Sequence, residues 1–210
     1  CNCGISDSGT GSGRFGLPSE PLEGITDMRV IAGSAKSMPL KTIAGMETRP
    51  TTDRIKETLF NMLQPHLCES RFLDLFAGSG GIGIEALSRG ADYCAFVEKN
   101  RKAAAVIREN LRFTKLEDRG QIYTGDVFQV LVQLEGEEPF DCIFMDPPYQ
   151  KELEKQVLEV LKHASYVTKD TLIVVEASLK TRLDYLDAYG FSILKEKKYK
   201  TNQHVFVKKK

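Results

Sequence analysis

Between residues 71 and 176, short apolar runs alternate with amphipathic stretches at a spacing that leaves little choice of fold. The runs 71–76, 93–98, 121–124, 141–145 and 172–176 predict strands, and 81–89, 101–113, 127–134 and 151–164 predict the helices between them. Strands joined through helices run parallel and are covered on both faces, which makes this a doubly wound α/β sheet. Residues 191–199 and 205–208 lie too close together for a helical crossover. They pair as a C-terminal antiparallel hairpin and complete a mostly parallel, seven-stranded, Rossmann-like sheet.

Ahead of the alternation, 29–32 predicts a short strand and 33–45 a turn with a second strand. Together they form a small N-terminal β-hairpin presenting Lys36 and Lys41. Thr52 or Asp53 then caps a helix over 54–63, whose Ile55, Leu59, Phe60 and Leu63 share one face. Three parts are expected: a leader (1–27), a hairpin-and-helix element (28–64) and the main domain (65–210). The leader is Gly/Ser/Pro-rich and without periodicity, which predicts disorder or an artefact of the chosen start.

Apolar residues make up 41% and charged residues 28% of 210, which excludes wholesale disorder. No apolar run reaches the ~18 residues of a membrane-spanning helix, so no membrane association is expected. Five scattered cysteines (Cys1, Cys3, Cys68, Cys94, Cys142) argue against a disulfide framework and for a reducing, cytoplasmic setting. Cys94 and Cys142 fall in predicted strands and read as core. His66, His163 and His204 show no ligand spacing, so no metal is expected, and surface or helix-end positions are assigned to all three.

The net charge of zero hides an asymmetry. Residues 28–60 hold six Lys/Arg against three acids, residues 180–210 nine against three, and the middle of the chain is acidic. Basic flanks on an acidic body fit a polyanionic partner.

Ligands of such sheets bind beyond the carboxyl ends of the strands. Those ends are acidic here: Asp74, Glu98, Asp126, Asp146 and Glu176. The first loop, F-L-D-L-F-A-G-S-G-G-I-G, sets Gly78, Gly80 and Gly83 in a G-x-G-x-x-G spacing between strand and helix. Glu98 ends the next strand, where an acid can hold both ribose hydroxyls of an adenosine, so NAD is the first reading to test. Asp74 weighs against it, because a carboxylate ahead of the glycines repels a pyrophosphate and attracts an ammonium. S-adenosylmethionine offers adenosine, ammonium and no phosphate. Asp126 then faces the adenine amine and the Val127 N–H the ring. Phe76, Ser79 and Lys99, beside these positions, complete the candidate cofactor set.

The fourth strand ends in D-P-P-Y, residues 146–149. Pro147 and Pro148 stiffen the turn and remove two N–H donors, leaving carbonyl acceptors. Asp146 with the Pro147 carbonyl can hold both hydrogens of an exocyclic amine while Tyr149 stacks on its ring. Asp146, Pro147, Pro148 and Tyr149 are therefore the candidate catalytic residues.

D-L-F-A-G-S-G and D-P-P-Y together resemble class I methyltransferases that act on exocyclic amines of nucleic acid bases. M-R-V-I-A-G, E-T-R-P-T-T-D-R-I-K-E, G-S-G-G-I-G-I-E-A-L-S-R-G-A and F-V-E-K-N are similar to the bacterial 16S rRNA guanine-N2 methyltransferases of the RsmD type. The resemblance runs from Met28 to about Lys208. It implies a monomeric, S-adenosylmethionine-dependent enzyme acting on one guanine of 16S rRNA in the small subunit or its assembly intermediate. It also implies that the loop from Arg49 to Asp53, with Arg49 and Thr51, closes over the cofactor. Lys36, Lys41, Arg54, Lys197, Lys198 and Lys200 would then contact RNA phosphates. Two alternatives stay open: an adenine-N6 methyltransferase of DNA or RNA, and a non-catalytic RNA-binding module that retains S-adenosylmethionine.

Overall fold

The structure is a computed structural model that describes residues 28–43, 53–148 and 152–210. The leader and the candidate residues Arg49, Thr51 and Tyr149 lie outside the described residues. Seven strands form one sheet: β1 (Arg71–Asp74), β2 (Tyr93–Glu98), β3 (Gly120–Thr124), β4 (Cys142–Met145), β5 (Leu172–Ser178), β6 (Phe191–Lys198) and β7 (Asn202–Lys209). Their order is β3-β2-β1-β4-β5-β7-β6. β1 to β5 are parallel, whereas β7 runs antiparallel between β5 and β6. The strand order reverses between β1 and β4, which opens a crevice at their carboxyl ends.

Among the described residues five α-helices cover the sheet: α1 (Asp53–Leu63), α2 (Gly81–Ser88), α3 (Arg101–Phe113), α4 (Val127–Gln133) and α5 (Leu153–Leu161). Successive strand residues point to opposite faces, so each central strand feeds two cores. Leu73, Ala95, Val97, Ile143 and Met145 pack with α4 and α5. Phe72, Cys94, Phe96, Cys142 and Phe144 pack with α1, α2 and α3. This two-sided burial is why the strands read as continuous apolar runs rather than alternating ones. Cys94 and Cys142 are core residues, and burial pushes both thiols up, that of Cys142 to about 12.

The N-terminal segment is narrower than two full strands. It folds back through a single antiparallel bridge, Arg29 to Pro39, flanked by Val30 N–H to the Met38 carbonyl (3.0 Å) and Leu40 N–H to the Met28 carbonyl (2.8 Å). Pro39 has no N–H to extend a ladder. The segment is held instead by α2: the Glu85 carboxylate accepts from Ile31 N–H (2.7 Å) and Ala32 N–H (3.0 Å), and Ser88 Oγ from Ala35 N–H (3.0 Å). Lys56, counted above with the basic flank, is buried on α1 and faces Glu85, so it is no part of a nucleic-acid surface.

The C-terminal hairpin is longer than its sequence pattern. β5 continues to Ser178 and β7 starts at Asn202, in register Glu176 with His204 and Ser178 with Asn202. His204 is therefore fully buried inside a strand, which corrects its assignment to the surface. Its neighbours in sequence are polar, and only the pairing with β5 removes it from water.

Candidate active site

Asp74 closes β1 and is buried, with 1% of its surface exposed. One carboxylate oxygen accepts from Gly83 N–H at 3.1 Å. The other, Oδ1, has no hydrogen-bond partner among the described residues. Burial, followed by the nearby Glu98 charge, pushes the carboxyl up to about 7 against the pull of the Gly83 and Phe76 N–H groups. An unpartnered buried carboxylate oxygen is costly, and a cation placed against it relieves the cost.

The glycines divide the work of the loop. A Cβ at Gly83 would meet Phe96 Cε1 at 2.3 Å and Cys94 Sγ at 2.6 Å, so its absence lets α2 lie close on β2. Gly78 has φ +55°, and a Cβ there would meet nothing within 4 Å. The space over Gly78 is open, as close approach of a ligand to the backbone requires. Glu98, at the end of β2, accepts from Gly78 N–H (2.9 Å) and Asn100 N–H (2.8 Å) and so ties this loop to the start of α3. Each of its oxygens keeps a second lone pair for a hydroxyl.

The remaining candidate cofactor residues are spread along the same rim. Ser79 Oγ contacts Met28 Sδ at 3.5 Å. Phe76 is half-buried against the α4–α5 core, and Lys99 is exposed. Asp126 caps α4 by accepting from Phe128 N–H at 3.0 Å, and Val127 is buried behind it. The sequence reading missed Asn110, a buried residue of α3. Its amide donates to the Ser79 and Lys41 carbonyls (both 3.0 Å) and accepts from Lys41 N–H (2.9 Å), which ties the glycine loop to the N-terminal segment. No local motif marks it, since its three bonds reach residues 31 and 69 positions away.

Asp146 follows β4, two residues beyond Phe144, which pairs with Asp74 across the switch. Burial first, then the charges of Glu176 and Asp74, pushes its carboxyl up to about 8. Pro147 is buried and Pro148 exposed. Four of the five strand-end acids thus feel one another: Asp74 with Glu98, and Asp146 with Glu176 and Asp74. Such a field repels a pyrophosphate and favours a cationic ligand. Among the described residues no three His, Cys, Asp or Glu group closely enough to hold a metal ion. The free oxygen of Asp74, the open space over Gly78 and the acidic rim fit S-adenosylmethionine, whose sulfonium and ammonium are both positive.

The candidate RNA contacts lie on the N-terminal segment, on α1 and on the C-terminal hairpin. Lys36 and Arg54 are exposed near the N-terminal segment, whereas Lys41 pairs with Glu109 at 2.8 Å. Lys197, Lys198 and Lys200 are exposed on and just after the edge strand β6. No helix among the described residues is long and apolar enough to cross a membrane.

Residues 28–208 match the family model described as conserved hypothetical protein 95. The chain is 34% identical over 172 residues to ribosomal RNA small subunit methyltransferase D of Haemophilus influenzae, an alignment spanning 81% of this chain and 88% of that protein. It is 43% identical over 157 residues to YlbH of Bacillus subtilis, a protein named as an rRNA methyltransferase, spanning 74% and 85%. Among solved structures it is similar to yhhF of Escherichia coli, titled as a methyltransferase. That likeness has a TM-score of 0.77 and 28% identity over 87% of this chain and 98% of that one.

Proposed function

The chain belongs to the conserved hypothetical protein 95 family, the RsmD-type rRNA methyltransferases, and from that premise we propose that it methylates the exocyclic N2 amine of a guanine in small-subunit (16S) rRNA. The methyl donor in this reading is S-adenosylmethionine, and the substrate is the rRNA of the small subunit or of its assembly intermediate. The enzyme acts as a monomer in the cytoplasm.

The observation that carries the reading is the position of Asp146, across the β1/β4 switch from Asp74 and the open glycine loop. Asp74 Oδ1 would hold the cofactor's ammonium and Glu98 its ribose hydroxyls, with Asp126 and Val127 at the adenine. When bound, S-adenosylmethionine supplies a strongly electrophilic methyl group, so the protein's main task is placement.

Asp146 would accept a hydrogen bond from the guanine amine and orient its lone pair. As the nitrogen becomes cationic, the Asp146 carboxylate stabilises the charge and then takes the departing proton. Tyr149 and the prolines would hold the extruded base, offsetting the few kcal/mol of unstacking. Lys36, Lys41, Arg54, Lys197, Lys198 and Lys200 would grip phosphates around it.

The test is radiolabelled methyl transfer to small subunits from a strain lacking the enzyme, followed by nucleoside analysis. N2-methylguanosine is expected. N6-methyladenosine as the product, or no transfer to either rRNA or subunits, overturns the proposal.

A further inference from the structure

Glu176 has no part in the proposed methyl transfer, although it is buried beside the other strand-end acids. Because β5 pairs with β7 beyond this point, Glu176 lies opposite His204. His204 Nε2 is 3.0 Å from one Glu176 oxygen, and Asn202 Nδ2 donates to the other. Behind the imidazole, the Tyr199 hydroxyl lies 3.2 Å from Nδ1. The rings of Phe144 and Tyr199 stand edge-on to His204, with centroids 6.2 and 5.1 Å away, and keep it dry.

The Tyr199 hydroxyl, His204 and Glu176 form one hydrogen-bonded chain. Burial, with Glu176 behind it, pushes the Tyr199 phenol up to about 12, so it keeps its proton at neutral pH. With the Tyr199 hydroxyl donating to Nδ1, Nε2 carries the proton and donates to Glu176. With Asn202 also donating, both Glu176 oxygens are engaged by N–H groups of β7.

β4 and β5 are parallel in the register Met145 with Val175. Asp146 and Glu176 each follow directly on this last pair, at the ends of neighbouring strands ~4.8 Å apart. We propose that Glu176 is a positioning residue for Asp146: a carboxylate fixed in place by His204 and Asn202 on the strand beside it, which makes Asp146 a stronger proton acceptor. Its catalytic consequence rests on the methyl transfer proposed above; the link between the two carboxylates does not.

The surrounding groups fit this direction. Asp146 faces Glu176 from β5 and Asp74 from β1, and Asp74 in turn faces Glu98 from β2. Glu176 faces Asn202 and His204 from β7 and Tyr199 from the turn after β6. Lys197, across from His204 in the β6–β7 ladder, is exposed to solvent.

The link can be read directly by 13C NMR of protein labelled at the aspartate carboxyl carbon, with the Asp146 signal assigned by its loss in Asp146→Asn. Glu176→Gln should lower the Asp146 titration midpoint by roughly 1 to 3 pH units, the effect of removing a like charge at this range. Glu176→Asp, which keeps the charge, should restore it towards the wild-type midpoint. Should Glu176→Gln not fold, His204→Leu tests the same link. Loss of that donor frees the Glu176 carboxylate from its place beside Asp146, and the Asp146 midpoint should fall. An unchanged midpoint in a folded Glu176→Gln or His204→Leu protein overturns the proposal.

The acid limb of kcat/KM for rRNA, at saturating S-adenosylmethionine, should move in the same direction as the midpoint. A uniform fall in rate with no movement of the limb would assign Glu176 a merely structural role and overturn the proposal. A shifted NMR midpoint in a protein that methylates no RNA would overturn the function proposed above while leaving the carboxylate link intact.

Discussion

The Lys56 ammonium lies 3.5 Å from the Glu85 carboxylate, and neither side chain exposes more than 4% of its surface. Glu85 also accepts from Arg89 Nε at 2.7 Å and from two backbone N–H groups of the N-terminal segment. One carboxylate thus joins α1, α2 and residues 28–32. Burial lowers the Lys56 pKa, and the Glu85 charge opposes that shift. Glu85→Gln should destabilise the protein by about 3–5 kcal/mol, because it strands a buried ammonium. Glu85→Gln with Lys56→Met should recover much of the loss. Urea denaturation of the two variants measures both effects.

If Asp74 holds the cofactor's ammonium, it links pH to cofactor binding. Its folded-state pKa, about 7, lies above the usual carboxylate range. Its contribution to stability is therefore fully present near pH 4 and is lost as pH rises through 7. Asp146, raised to about 8, acts in the same sense. The unliganded protein should melt at a lower temperature at pH 8 than at pH 5.5. S-adenosylmethionine affinity should instead rise between pH 6 and 7.5, by at most about tenfold per unit, as the ammonium's partner ionises. Calorimetry across this range in two buffers should also register protons released on binding. A flat affinity profile would remove Asp74 from the ammonium site.

The glycines of the first loop should respond differently to alanine. At Gly83 the new methyl collides with Phe96 and Cys94, and stability should fall by about 1–3 kcal/mol through overpacking. At Gly78 the methyl meets open space, and the cost is the left-handed φ of +55°, about 1–2 kcal/mol. If the ligand occupies the open space over Gly78, Gly78→Ala should nevertheless weaken S-adenosylmethionine binding. Denaturation and titration calorimetry on the same preparations separate the two.

Asp146 separates catalysis from binding. If its carboxylate meets an amine that becomes cationic, its interaction is stronger in the transition state than in the ground state. Asp146→Ala should lower the single-turnover rate by about 10²-fold or more while cofactor affinity stays nearly intact. Asp146→Asn keeps one acceptor without the charge, and partial activity is expected of it. A wild-type rate in Asp146→Ala would reduce the D-P-P-Y turn to a structural element.

The five parallel strands and their helices were legible because the determinants are local. Runs such as F-L-D-L-F and C-I-F-M owe their apolar character to burial on both faces, and glycines mark the turns. The acids at the strand ends were legible too, since a strand's end can be placed to within a residue or two. What each acid touches was not.

The sequence by itself determined the sheet, its glycine loop and the presence of Asp74, Glu98 and Asp146 at one rim. Only the tertiary structure decided which charges share a field, because Coulomb interaction and burial depend on distance through space rather than along the chain. His204 reads as a polar surface residue until β7 pairs with β5 and sets it against Glu176. Lys56 reads as one more cation of a basic flank until α1 packs its ammonium against Glu85. Asn110 carries no motif, and its role exists only because residues 41, 79 and 110 meet. Each is a polar group whose partner lies 25 to 70 residues away, beyond the reach of any local pattern.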